Sequence, residues 1–490
     1  MIPLTYWLMA AMLTPLLGAL VISRLDKLPD YREAVTLVTA SILFSINVYL
    51  FNHLDAASSA QFTIAEPIEG LAISFVLNQF GLMFALIASG LWIATSIYAI
   101  GYMRAHHEKN QTRFFTLFAV AIAGVMAVAF SENLFTLFIF YEFLTVSTYP
   151  LVTHAGTREA KRGGRKYILI LMGTSILFFL PAMIWVYYLA DTLTFTSGGI
   201  LAGHADPKWV LPLLLMFILG ISKAGVMPFH KWLPAAMVAP TPVSALLNAV
   251  AVVKAGVFSL VKVVVFIFGT DFITESGANQ ILLWFPIITI VLASLIALSK
   301  DNLKERLAYS TISQLSYIVL GALLATQQAV IGAGMHIAMH AFGKIALFFA
   351  AGAILVTMHK KLVSDLNGMG RAMPLTFTVF TIGTLSIIGI PLFGGMWSKW
   401  YLLSGALGFE QNAVLYWTVL GALTLSTLLN VYYLLSIPVR AFFFTNPSYT
   451  VIKEAPKACL IGMAIPTFVT LYLFFDPSIF YDLSLSLTGS

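Results

Sequence analysis

Residues 221–260 read ISKAGVMPFHKWLPAAMVAPTPVSALLNAVAVVKAGVFSL. Lys223 and Lys254 stand among apolar residues on either side of a stretch broken by Gly225, Pro228 and Pro234. Working outward, Lys262, Lys344 and Lys399 also fall inside apolar runs long enough to cross a bilayer, and Glu142 is the one acidic residue placed that way. A charged side chain near the bilayer centre costs about 2.5–3.5 kcal/mol on insertion scales, so intramembrane lysines are rare and commonly line an ion pathway. The stretch therefore predicts an all-α polytopic membrane protein whose work is moving charge, protons first.

Composition agrees. Of 490 residues 59% are hydrophobic and 10% charged, with a mean hydropathy of +0.91. Ordinary soluble domains carry roughly 25% charged residues. The net charge of +6 sits in loops between apolar runs, not in a basic patch interleaved with aromatics, which argues against nucleic acid. A single cysteine, Cys459, excludes an intrachain disulfide and a thiolate cluster. No GxGxxG, P-loop or HExxH pattern occurs, so no redox, nucleotide or other cofactor is expected. The opening MIPLTYWLMAAMLTPLLGALVIS lacks a positive leading region and reads as a retained first helix.

Fourteen transmembrane helices are expected, near 3–23, 34–52, 76–101, 114–131, 134–152, 167–190, 210–229, 243–268, 280–299, 307–326, 329–358, 375–402, 413–439 and 458–475. With the N-terminus outside, the loops at 24–33, 102–113, 153–166, 230–242, 300–306, 359–374 and 440–457 become cytoplasmic and hold 21 of the 27 Lys and Arg residues. The outside loops hold only Lys208. That asymmetry follows the positive-inside rule and places the chain in a cell (inner or plasma) membrane.

Segments seven (GISKAGVMPFHKWLP) and twelve (GIPLFGGMWSKW) each combine Pro and Gly with a lysine. Proline removes a helix hydrogen bond, and freed backbone at membrane depth survives only where protein or water satisfies it. Two such segments five spans apart predict two inverted five-helix repeats, helices 4–8 and 9–13, with broken helices 7 and 12 as counterparts. The expected organisation is residues 1–113 for helices 1–3, 114–268 and 280–439 for the repeats, and 440–490 for the last loop and helix.

Glu142 lies mid-span, and Lys223 is its natural partner, either as a switchable coupled pair or as a structural lock between helices. His336, His340 and Lys344 follow at i, i+4 and i+8, on one helical face and about 12 Å apart along the axis. Histidine exchanges protons near neutral pH, which suits a relay. Each histidine alone also reads as a core residue bonded to a backbone carbonyl. No third ligand accompanies the two histidines, so no metal is expected. Ser310, Ser313, Gln314 and Tyr317 offer polar links or simple helix-to-helix glue. Lys262, nearer a helix end, is expected to snorkel.

The 221–260 stretch resembles the signature of the antiporter-like subunits shared by Mrp-type cation/proton antiporters, the membrane arm of NADH:quinone oxidoreductase (complex I) and membrane-bound hydrogenases. NLFTLFIFYEFLTVSTYPLV, DNLKERLAYSTISQLSY, MHIAMHAFGKIALFFAAG and IPLFGGMWSKW are similar to four further blocks of that family, in the same order. The resemblance implies a proton pathway: Glu142 as the helix 5 glutamate and Lys223 as the lysine of broken helix 7. It further implies Lys254 as the helix 8 lysine, His340 and Lys344 as the central relay, and Lys399 as the exit-side charge. It implies partners too, namely other membrane subunits of a hetero-oligomeric complex, with H⁺ and Na⁺ or another monovalent cation carried. Asn248 departs from the histidine of several relatives, and Asn78 from a common aspartate. The length and Lys399 favour a Mrp-type antiporter component of the D type, with a redox-driven proton pump as the alternative.

Overall fold

The computed structural model describes residues 3–54, 60–409, 412–447, 449 and 451–489. The chain opens with α1 (Leu4–Ser23) and α2 (Pro29–Asn52), followed by a hairpin of β1 (Gln61–Ile68) and β2 (Leu71–Val76). Next come α3 (Gln79–Ala105), α4 (Gln111–Ala129), α5 (Leu134–Val152) and α6 (Arg158–Ala190). The shorter α7 (Pro207–Gly220) precedes α8 (Thr241–Phe268), α9 (Ala278–Ser299), α10 (Leu303–Leu324) and α11 (Gln327–Met358). The chain closes with α12 (Pro374–Ile388), α13 (Gly395–Leu407), α14 (Ala413–Phe443), α15 (Lys457–Phe475) and α16 (Ser478–Leu485). Among the described residues twelve of these helices are long and apolar enough to cross a membrane; α7 and α12 are shorter apolar helices.

The antiparallel hairpin is a departure from the all-α expectation. Gly70 takes the left-handed backbone of its turn (φ 78), and Glu66 Oε1 accepts the Gly70 amide at 2.8 Å. Asn78 then caps α3, its side-chain oxygen accepting the Gly81 amide at 2.7 Å, so α3 starts at Gln79 instead of running on from residue 76.

Burial sorts the helices into layers. In their most apolar windows α8 and α10 are 94% buried and α11 is 89% buried, against 33% for α1 and α14. α8, α10 and α11 therefore form the centre. At ~1.5 Å per residue the 32 residues of α11 span roughly 48 Å, more than the hydrocarbon thickness.

Two interruptions break the helical pattern. α7 ends at Gly220; a single 3₁₀ turn, Ser222–Ala224, follows, and Gly225 adopts φ 75. Freed groups here find partners: Trp232 Nε1 donates to the Ser222 carbonyl at 2.9 Å and the Met227 amide donates to Thr289 Oγ1 at 3.1 Å. α12 ends at Gly389 (φ 89), and helix resumes only at Gly395. The segment 375–402, expected as one broken crossing, is thus two helices. Helix α8 also contains π-turns at Leu246–Val250 and Val263–Phe268, features concentrated at functional sites.

The start of α2 corrects the sequence reading in a second place. It opens at Pro29 rather than near 34, and Arg32 and Glu33, expected in a loop, are buried. Arg32 Nη1 donates to Thr112 Oγ1 at 3.0 Å, while its Nη2 donates to Gln111 Oε1 at 3.0 Å and reaches Glu33 at 3.3 Å. Arg104 donates to Glu33 at 3.0 Å and pairs with Asp30. Leaving a buried charge unpaired costs about 3–5 kcal/mol. Glu33→Gln is expected to lower the thermal unfolding midpoint of the purified protein clearly, whereas Asp30→Asn, at the exposed edge of the cluster, leaves it unchanged. A Glu33→Gln protein as stable as its parent would mean that the cluster does not hold α2, α3 and α4 together.

Candidate proton pathway

Lys223 sits in the 3₁₀ turn below α7 and is fully buried. Its Nζ donates to the Tyr141 carbonyl at 2.8 Å and to Thr145 Oγ1 at 2.6 Å, and lies 3.2 Å from the Tyr141 ring centroid. Glu142 Oε1 is 3.9 Å away, in electrostatic contact but beyond a hydrogen bond. Both Glu142 carboxylate oxygens are buried without a hydrogen-bond partner among the described residues. The ammonium is thus held by α5 backbone and hydroxyl, and the carboxylate next to it is free to approach. Gly256 makes this possible: a Cβ there would come within 2.3 Å of the Ala224 nitrogen and the Lys223 carbonyl carbon. Only glycine lets α8 lie directly against the break.

Along α8 and α11 the polar groups continue. Lys254 Nζ lies 2.6 Å from His340 Nδ1, both fully enclosed. A contact that short needs one donor and one acceptor, so one N–H lies between the two nitrogens. His340 Nε2 has no partner among the described residues. One turn toward the α11 N-terminus, His336 places Nδ1 2.8 Å from Ser398 Oγ and Nε2 3.2 Å from Gln314 Oε1. One turn the other way, Lys344 Nζ donates to Ser310 Oγ at 2.8 Å. The predicted i, i+4, i+8 stripe thus contacts α8 through His340, α10 through His336 and Lys344, and α13 through His336.

Lys399 lies at the second interruption. Its Nζ donates to the Ile388 carbonyl at 3.0 Å, at the open end of α12, and sits 5.0 Å from the Tyr317 ring centroid. Tyr317 also stacks on His336, with ring centroids 5.9 Å apart. His336 and Lys399 therefore both contact one aromatic ring.

Three residues that sequence reasoning did not single out complete this arrangement. Thr145 holds Lys223, and its spacing of i+4 from Tyr141 was a usable signal. Ser398 holds His336 and is adjacent to Lys399 in sequence. Lys304, expected in a cytoplasmic loop, instead reaches inward: its Nζ donates to the Ala239 carbonyl at 2.6 Å and to Ser244 Oγ at 3.3 Å. Asn248 Nδ2 donates to the Ser244 carbonyl at 2.7 Å. Lys304 also lines a cavity of about 530 Å³ beside Glu108 and Lys360. Lys262 does not snorkel; it is 2% exposed, donates to the Ser131 carbonyl at 2.7 Å and lies 3.9 Å from the Phe195 ring centroid.

Residues 131–424 match the family described as NADH:quinone oxidoreductase/Mrp antiporter, TM, and residues 69–115 match the N-terminus of NADH-ubiquinone oxidoreductase (complex I) chain 5. The chain belongs to the NADH:quinone oxidoreductase/Mrp antiporter family. Among family relatives, NADH-quinone oxidoreductase subunit N of Desulforudis audaxviator is 31% identical over 373 residues, covering 74% of this chain and 72% of that one. A probable K⁺/H⁺ antiporter component of Rhizobium meliloti, its A/B subunit, is 29% identical over 384 residues, 76% of this chain but 37% of the relative. In fold, the chain is similar to a component of the membrane-bound sulfane sulfur reductase, an archaeal respiratory membrane complex (TM-score 0.83, 24% identity, 98% of this chain and 96% of that one). It is equally similar to a chain of the Mrp complex from a Dietzia species (TM-score 0.83, 22% identity, 99% and 52%).

The packing around Lys223 sets an expectation for stability. Gly256→Val forces α8 off the break, and overpacking of this kind costs about 1–3 kcal/mol. Its thermal midpoint is expected to fall, while Gly421→Ala, where a Cβ meets nothing within 4 Å, keeps or raises it. Equal midpoints for Gly256→Val and the parent would show that the approach is not tight.

Proposed function

We propose that this chain is the proton-translocating membrane subunit of a multisubunit, redox-driven complex of the NADH:quinone oxidoreductase type. The observation that carries the reading is the 2.6 Å contact between Lys254 and His340, two titratable groups hydrogen-bonded to each other and enclosed at the centre of the bundle. Groups able to accept and donate protons lie on either side of it. Protons enter at the Lys304 cavity and follow Ser244 and Asn248 to Lys254, six residues on, or roughly 9 Å along α8. They pass by His340 to Lys344 and by His336 to Lys399, where they leave. Glu142 and Lys223 form the switch: closing their 3.9 Å gap pulls the ammonium from Tyr141 and Thr145 and changes the field felt by Lys254.

The transmembrane organisation belongs to the same proposal. With α7 and the interrupted pair α12–α13 each taken as a crossing, the chain spans fourteen times, and helices 4–8 and 9–13 form inverted repeats with Lys223 and Lys399 as counterparts. The charge asymmetry of the loops supports an N-terminus outside and the Lys304 cavity on the cytoplasmic side.

Redox drive is favoured over cation antiport by the relatives. NADH- and NAD(P)H-quinone oxidoreductase subunits recur among them, including the 31% identical subunit N. No redox group is assigned to this chain, so electron transfer would lie in partner subunits. The second reading, Na⁺/H⁺ exchange in a Mrp-type complex, rests on the equal fold similarity to the Mrp chain.

Proton movement into vesicles holding the intact complex separates these readings. Acidification that follows addition of electron donor and acceptor, and that falls roughly 10²-fold in Lys223→Ala, is expected; proton-relay groups contribute on that scale. A pH response to Na⁺ alone would establish antiport, and undiminished flux in the variant would remove Lys223 from the path. Lys304→Met is expected to slow flux without altering assembly, and a normal rate there would place the entry elsewhere.

A further inference from the structure

A second concavity, of about 820 Å³, lies away from the buried axis, between the turn after α3 and the turn after α5. Lys109 and Arg113 line one wall, and Lys161 and Arg165 the other, from the first turns of α6. Its one carboxylate, on Glu108, is 3.0 Å from His106 Nδ1. Among the described residues no salt bridge engages any of the four cations.

This cup is built into the fold. His154 Nε2 lies 3.0 Å from the Lys109 carbonyl oxygen, and Arg113 Nη2 donates to the His154 carbonyl at 3.0 Å, so the two turns are tied together. His154 is 4% exposed, and its Nδ1 is buried without a partner among the described residues. Four cations without a carboxylate partner around one concavity suit an anion, and a phosphate takes lysine and arginine donors together.

Toward the membrane the same walls become apolar. Leu169, one turn beyond Arg165 on α6, is 72% exposed, and Val146, one turn before the cup-lining Tyr149 on α5, is 53% exposed. α5 and α6 pack side by side, and each presents an exposed apolar side chain about one turn from the charges. A cationic cup beside exposed apolar helix surface suits an amphiphile. We propose that this site binds an anionic phospholipid, its phosphodiester headgroup in the cup of Lys109, Arg113, Lys161 and Arg165 and its acyl chains along Val146 and Leu169.

Native mass spectrometry of the purified whole complex, washed in neutral detergent and then supplied with phosphatidylglycerol or phosphatidylcholine, tests this. The parent is expected to retain one phosphatidylglycerol more than Lys161→Gln/Arg165→Gln, to show no such difference for phosphatidylcholine, and to keep its lipid in excess inorganic phosphate. The charge-conserving Lys161→Arg/Arg165→Lys protein is expected to bind as the parent does, which separates lost charge from lost folding. Equal phosphatidylglycerol retention by parent and the glutamine variant overturns the proposal. So does failure of the charge-conserving protein to bind, and so does displacement by phosphate, which would leave a free-phosphate site.

Discussion

A hydrocarbon layer offers no hydrogen-bond partner, so a buried ammonium and a carbonyl left open at a helix end each carry a cost that the other can relieve. This chain joins them repeatedly. Lys399 takes the Ile388 carbonyl at the end of α12, Lys262 the Ser131 carbonyl just past α4, and Lys304 the Ala239 carbonyl just before α8. Each placement also sets a positive charge at or near a helix end, and for Lys399 and Lys262 that end is the one where the backbone dipole favours it. The break after α12 is therefore more than a kink: its open carbonyl accepts a buried lysine that has no carboxylate partner. Glu142 is the exception, and its geometry differs accordingly. Lys223 donates to Tyr141 and Thr145, while Glu142 stands 3.9 Å away, in electrostatic contact but beyond a hydrogen bond.

Much of this is legible in the residues themselves, for identifiable reasons. Helices written in long apolar runs announce themselves, and α1, α5, α9, α11 and α15 lie where the residue pattern puts them, within a few positions. The stripe of His336, His340 and Lys344 follows from helical periodicity alone. The interruptions follow from Pro and Gly beside lysine. What cannot be read is contact across the bundle. Nothing in the sequence says that Lys254 faces His340, or that His336 reaches past α10 to Ser398, because partner choice depends on helix rotation and tilt.

The failures share a cause as well. Charge alone puts Lys304, Arg32 and Glu33 in loops, yet each is drawn inward by a partner far away in sequence. The same reasoning puts Lys262 at the interface, although Phe195 and Ser131 close over it. The β1–β2 hairpin escapes because the stretch between two long membrane segments is informative only in its charge. Charge predicts exposure well when a side chain has only water to turn to. It predicts poorly where carbonyls or hydroxyls of another helix are within reach.

α11 carries His336, His340 and Lys344 on one continuous helix of 32 residues, without a proline or a π-turn to bend it. Its three polar side chains hold Ser398 and Gln314, Lys254, and Ser310 respectively. Such a helix acts as a rigid axle. A small turn about its own axis lengthens or shortens all of these contacts in the same instant, so the links to α8, α10 and α13 cannot be timed independently. Whatever pushes on either end of that axle therefore moves all of these contacts together.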